Sequence, residues 1–145
     1  MTSNISKTII AQSKHVETEK NYWLTKLSGT LARTYFPYDN IAPDVSTYEK
    51  HDFQVKIPDD LFTRSIQLSK GSDNNLYIIL LTCLIVLLNK YTGNKDIIIA
   101  VPIFKQEIKG EFINTALTIR IQLTGKETVK ELIILCKNTV FEANE

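Results

Sequence analysis

The sequence predicts an α/β fold in which helices pack on a small mixed sheet. Three observations point there. A long apolar run, Leu76 to Leu88, is broken only by Thr82. An uninterrupted β-branched run stands at Ile97, Ile98 and Ile99. Leu117, Ile119, Ile121 and Leu123 alternate with Thr118, Arg120 and Gln122. The first has the character of a buried helix, the second of a strand covered on both faces, and the third of a strand with one wet face.

Taken in order, residues 1–15 read as a flexible lead-in. A short helix follows from Glu17 to Leu27, with Trp23, Leu24 and Leu27 on one face, and Ser28-Gly29 ends it because glycine accepts a left-handed cap. From Gly29 to Lys50 the chain carries Pro37, Pro43 and no sustained period, so a long loop is expected, pinned by the rings of Tyr35, Phe36 and Tyr38. Phe53, Val55 and Ile57 alternate with Gln54 and Lys56, a strand stopped by Pro58. Asp59 then stands where an N-cap belongs, opening a helix from Asp60 to Ser69 that ends near Gly71.

The next helix runs from Asn74 to Tyr91 and closes on Gly93; apolar nearly all round, it should be buried against a sheet. Asp96 to Val101 is a central strand ended by Pro102. A polar turn from Lys105 to Gly110 leads into the alternating strand. Thr128-Val129-Lys130-Glu131 is a capping box, in which the threonine side chain and the glutamate satisfy each other's free backbone N–H. It opens a last helix to Ala143, with Val129, Leu132, Ile133, Cys136 and Val140 at helical period. The chain stops inside or just after that helix, as expected of a piece of something larger.

A chain of 145 residues suits one compact domain with a real core. Its 43% hydrophobic and 23% charged content separates it from disordered sequences. The formal charge of +1, from 17 basic and 16 acidic residues, leaves no electrostatic footprint for nucleic acid or an anionic membrane. Cys83 and Cys136 sit in apolar runs and read as buried free thiols of a reducing cytoplasm. No signal peptide is visible, and the run from Leu76 to Leu88 falls short of the about 20 residues a bilayer needs. A cytoplasmic location with no membrane partner is expected.

Catalytic constellations are not apparent. The five glycines are scattered and form no phosphate loop, and no GxSxG elbow occurs. No CxxC pair exists and His15 and His51 lie far apart, so no metal site is expected. Asp59 and Asp60 are explained by helix capping, Asp39 and Asp44 by solvation, and the cluster Lys105, Gln106, Glu107 and Lys109 by a solvated turn. Asn114 and Thr115 open an apolar strand and read as a turn whose side chains bond nearby backbone. No cofactor is called for.

Four stretches in register resemble the condensation domain of nonribosomal peptide synthetases. KNYWLTKLSG (Lys20 to Gly29), with Trp23, resembles the family's tryptophan-containing helix that ends in Leu-x-Gly. NKYTGNKDIIIAVPI (Asn89 to Ile103) resembles the segment where a buried helix closes on Tyr-Thr-Gly, here Tyr91, Thr92 and Gly93, before a central strand. GEFINT matches the GxFVNT motif through Gly110, Phe112, Ile113, Asn114 and Thr115. TVKELIILCKNTVFEANE (Thr128 to Glu145) resembles the helix that follows. The sequence departs from the pattern at Ala100 and Val101, in the short loop from Phe104 to Gly110, and at Arg120, which comes one residue later than the family's arginine and so takes over no role.

The resemblance implies the C-terminal lobe of such a domain, a partial domain over residues 1–145 with half of a chloramphenicol acetyltransferase-like fold. It also implies that the catalytic HHxxxDG motif, whose second histidine positions the attacking amine, belongs to the N-terminal lobe. The present sequence has no adjacent histidines. The expectation is therefore a truncated, non-catalytic platform for the following adenylation domain, begun at Met1. The alternatives are a docking module between synthetase subunits, or half of an acyltransferase completed in trans by another subunit or by a further copy of itself.

Overall fold

The computed structural model describes residues 16–36, 54–102 and 116–144, which fall in two compact units, Met1–Ala32 and Arg33–Glu145. In the first unit, helix α1 covers residues 16–26. The Leu27 N–H closes on the Trp23 carbonyl at 2.9 Å, and Gly29 turns the chain at φ 78°. The half-buried face is Tyr22, Trp23, Lys26 and Leu27. Leu24, expected on that face, is exposed, because it stands about 100° around the helix from Trp23.

The second unit begins its described helices with α2 (Asp59–Ser69) and α3 (Asp73–Thr92). The expected strand before α2 is not formed over residues 54–57, which are extended and exposed, and Phe53 lies outside the described residues. Alternation is a local signal, whereas a strand needs a neighbour to accept its ladder, and no described strand lies beside this one. Asp59 is not the N-cap either. Pro58 holds that position at ψ 141°, with no side-chain cap, which makes Asp59 the first helical residue; there Asp59 and Asp60 face the positive end of the helix dipole.

The junction of α2 and α3 is tight. Lys70 (φ 54°) and Gly71 (φ 69°) are both left-handed, and their N–H groups donate to the carbonyls of Gln67 and Ile66, each at 3.1 Å. Ser72 caps α3 by accepting the Asn75 N–H at 3.4 Å, while the Asn75 side-chain amide donates back to the Ser69 carbonyl at 3.1 Å.

Strands β1 (Asp96–Pro102) and β2 (Ala116–Gln122) pair antiparallel, with Ile97 opposite Ile121, Ile99 opposite Ile119 and Val101 opposite Leu117. The sheet among the described residues is thus purely antiparallel rather than mixed, and β1 has one strand neighbour where a central position was expected. Its free edge is met by the chain at Thr34, whose hydroxyl oxygen accepts the Ile98 N–H at 2.8 Å.

Helix α4 (Val129–Asn144) opens on the expected capping box: the Thr128 N–H donates to Glu131 Oε2 at 2.7 Å, and the Glu131 N–H donates to Thr128 Oγ1 at 3.3 Å. Val129, expected on its inner face, is exposed instead, since the first turn stands clear of the sheet. The core lies where α3 and α4 meet the sheet and consists of Ile78, Leu81, Ile85, Leu88, Ile97, Val101, Ile119, Ile121, Cys136 and Val140. Each such aliphatic side chain, fully buried, contributes about 1.5–3 kcal/mol.

Two expectations about α3 are corrected. Only one side of it is buried, among α2, α4 and β1; Leu80, Leu84, Leu87 and Tyr91 are exposed. Cys83 falls on that open side and is an exposed thiol, while Cys136 is buried as expected. At 20 residues α3 is also longer than its apolar run, and by length and composition alone it could cross a membrane.

Candidate functional site

The open side of α3 continues into a groove of about 470 Å³. One wall is α3, through Tyr77, Leu80, Leu81, Leu84 and Leu88; the other is the end of β1, from Ile99 to Pro102; Thr34, Tyr35 and Phe36 close one side. The walls follow from local sequence. An apolar helix presents leucines on every face, and Pro102 ends β1 by removing a ladder donor. The Thr34 hydroxyl, bonded to the Ile98 N–H, holds the crossing segment against the strand. Phe36 then meets the Tyr91 ring edge-on, with centroids 6.0 Å apart.

No acid, base or cation lines this groove among the described residues. The titratable groups in its described walls are the phenols of Tyr35 and Tyr77, and burial pushes that of Tyr77 further up from its ordinary value. The groove can therefore seat an apolar group or chain, but its described walls offer nothing that moves a proton near neutral pH. Among the described residues no group of three or more metal-binding side chains occurs.

The motif residues divide sharply. Tyr91, Thr92 and Gly93 act as the terminator of α3. Gly93 takes φ 70° and its N–H donates to the Asn89 carbonyl at 2.8 Å. The Thr92 hydroxyl donates to the Leu88 carbonyl at 2.7 Å and accepts the Asn94 N–H at 3.1 Å. The Asn94 amide in turn donates to the Arg33 carbonyl at 3.2 Å. Trp23 sits half-buried in the first unit with its ring 5.1 Å from that of Tyr22, edge to face. Gly110, Phe112, Ile113, Asn114 and Thr115 lie outside the described residues, as do His15, Asp39, Asp44, His51 and the cluster at Lys105, Gln106, Glu107 and Lys109.

Two polar arrangements were missed in the sequence. Arg120 grips Asp96 with both arms of its guanidinium, Nε to Oδ1 at 2.8 Å and Nη2 to Oδ2 at 2.6 Å, on the face of the sheet away from Ile97 and Ile121. The Arg120 side chain is only 9% exposed, and its hydrogen bonds hold the Asp96 carboxyl below the usual carboxylate range. The pair is diagonal across the ladder, so only the register reveals it. After β2, the carboxylate of Glu127 accepts three successive backbone N–H groups, from Thr124 at 2.5 Å, Gly125 at 2.9 Å and Lys126 at 3.1 Å. Those donors, the Thr124 N–H foremost, lower its pKa from 4.5 to about 2. Both arrangements stiffen the sheet and its exit; neither faces the groove.

The helices and the antiparallel strand pair make a mixed α/β unit, which is consistent with the family the sequence matches. The condensation domain family matches residues 6–145, and the chain belongs to it. Its relatives are nonribosomal peptide synthetases. A linear gramicidin synthase of Brevibacillus parabrevis is 34% identical over 128 residues, covering 84% of this chain and 2% of that protein. Bacitracin synthase 1 of Bacillus licheniformis is 28% identical over 141 residues, covering 93% of this chain and 3% of that protein. Gramicidin S synthase 2 of Brevibacillus brevis is 27% identical over 142 residues, with shares of 94% and 3%. The chain thus spans a few hundredths of the length of these relatives.

Proposed function

We propose that the chain is the C-terminal lobe of a condensation-like domain, half of a chloramphenicol acetyltransferase-like fold, and that it serves as a non-catalytic platform for the adenylation domain that follows it in a synthetase. The observation that carries this reading is in the sequence. The histidines are His15 and His51, so the chain contains no HHxxxDG motif to orient an amine for attack on a thioester. The groove supports it, since its walls are apolar and, among the described residues, hold no group suited to general base catalysis. The described motif residues support it too, because Tyr91, Thr92 and Gly93 are engaged in ending a helix. What such a lobe offers is surface, which is what a platform needs.

The test is a calorimetric titration of this chain into the separately produced adenylation domain. Saturable binding, or a higher melting temperature of the adenylation domain in the presence of the chain, is the expected result. Absence of both at about 100 µM would remove the platform reading. Peptide-bond formation by the chain mixed only with two loaded carrier proteins would overturn its non-catalytic character.

A further inference from the structure

We propose that residues 33–36 form a strap, latched by the Thr34 hydroxyl, that opens and closes one side of the groove while the sheet stays folded. Thr34, Tyr35 and Phe36 line that side of the groove. The ties that hold the strap run to three places close together, at the end of α3 and the start of β1. The Ile98 N–H donates to Thr34 Oγ1 at 2.8 Å, the Asn94 side-chain amide donates to the Arg33 carbonyl at 3.2 Å, and the Phe36 ring meets that of Tyr91 edge-on at 6.0 Å. Each of the two hydrogen bonds passes through a side chain, Thr34 in one and Asn94 in the other, so neither is a rung of a sheet ladder.

The sheet does not depend on these ties. In an antiparallel pair, the N–H and carbonyl of successive residues point alternately toward the partner strand and away from it. The Leu123 N–H donates to the Lys95 carbonyl at 2.7 Å, which places Lys95 and, at alternate positions, Ile97, Ile99 and Val101 on the side that bonds to β2. Ile98 falls on the other side, where its N–H reaches Thr34. Nor does the core depend on them. Tyr91, Asn94 and Ile98 stand outside the buried cluster, as do residues 33–36, whereas Ile97, Val101, Ile119 and Ile121 belong to it. Tyr35 and Phe36 are 52% and 45% exposed even with the strap in place. Releasing the strap therefore removes one wall of the groove and leaves the ladder and the core intact.

The ties set how often the strap is open. Two hydrogen bonds and one edge-on ring pair, each a modest net gain in water, keep the open form at about 0.1–10% of molecules. Opening of that kind is a local event, distinct from global unfolding, and its signature is an amide that exchanges through it alone. Ile98 is that amide: its acceptor belongs to the strap, while Ile97 and Ile99 on either side of it are held by β2. Thr34 can be tested as the latch with little change in side-chain size, since Thr34→Val deletes the acceptor and Thr34→Ser keeps it.

Hydrogen exchange of the complete chain, read amide by amide by NMR, tests this first without any variant. Ile98 should exchange at least about tenfold faster than Ile97 and Ile99, at a rate that low urea leaves unchanged. Thr34→Val should speed Ile98 about tenfold or more again and leave Ile97 and Ile99 within about threefold. It should also shift the resonances of the Tyr91 ring and of the Leu84 and Leu88 methyl groups in the groove wall, and Thr34→Ser should restore all of these. Exchange of Ile98 in step with Ile97 and Ile99 in the unaltered chain overturns the proposal, because the strap would then open only with the sheet. So does a Thr34→Val chain in which Ile98 is as protected as before, or one that loses protection equally throughout β1. A Thr34→Val chain that frees Ile98 but leaves the groove methyl groups unmoved overturns it as well, since the segment would then gate nothing.

Discussion

Replacing Gly93 by alanine isolates the cost of one backbone angle. Gly93 ends α3 at φ 70°, and a Cβ built on it would meet nothing within 4 Å. Crowding by neighbours therefore adds nothing, and what remains is the clash of the new Cβ with its own carbonyl in the left-handed region, about 1–2 kcal/mol. Asparagine tolerates that region better than alanine, so Gly93→Asn should cost roughly half as much. For a chain of this size the alanine change corresponds to a melting temperature about 2–8 °C lower. Urea denaturation of the three proteins, followed at 222 nm, measures the ordering Gly, Asn, Ala. If alanine matches glycine to within about 0.3 kcal/mol, or asparagine is as costly as alanine, then φ is not what holds glycine in the Tyr-Thr-Gly turn, and the terminator argument fails.

Ile85→Ala should cost about 2–5 kcal/mol in chemical denaturation, because Ile85 is fully buried between helices and sheet; Leu87→Ala, on the open side, should cost under about 0.5 kcal/mol. With a thiol reagent at low protein concentration, Cys83 should react at once and Cys136 only on unfolding, since burial both shields the latter and pushes its thiol pKa up. Glu127 is held at about 2 against an ordinary 4.5, so the stability it contributes is fully present above about pH 4.5 and drains away as pH falls toward 2. Asp96 and Glu131, both lowered, act in the same direction. The urea midpoint should therefore fall over that window, and Glu127→Gln should flatten the fall. Arg120→Leu and Asp96→Leu should each destabilise more than the double replacement does, a coupling read from a double-mutant cycle; equal additive losses would show that the two-armed contact contributes nothing.

The elements that could be read in the sequence are those whose signal is carried within a few turns of chain. The apolar run that makes α3, the alternation that makes β2 and the Thr128–Glu131 box that opens α4 all appear as expected. What could not be read depends on partners distant in sequence. Phe53, Val55 and Ile57 alternate as a strand should, yet residues 54–57 have no described neighbour to pair with. Hydropathy shows that Leu80, Leu84 and Leu87 are costly to expose, but not whether another element arrives to cover them. The clasp of Asp96 by Arg120 depends on register, which the strand sequences do not state. The groove was invisible for the same reason: its walls come from three stretches that only the fold brings together.

The corner between α2 and α3 has a kinetic meaning. Asn75 in the second helix satisfies a carbonyl at the end of the first, Ser72 both follows one helix and caps the other, and every bond involved spans at most six residues. Contacts that short require almost no loop closure, so this corner can form before the distant strands find each other. A helix end that borrows its partner from the next helix also cannot fray alone. The two helices should then lose amide protection together in hydrogen exchange, as one cooperative unit with a single opening energy rather than two.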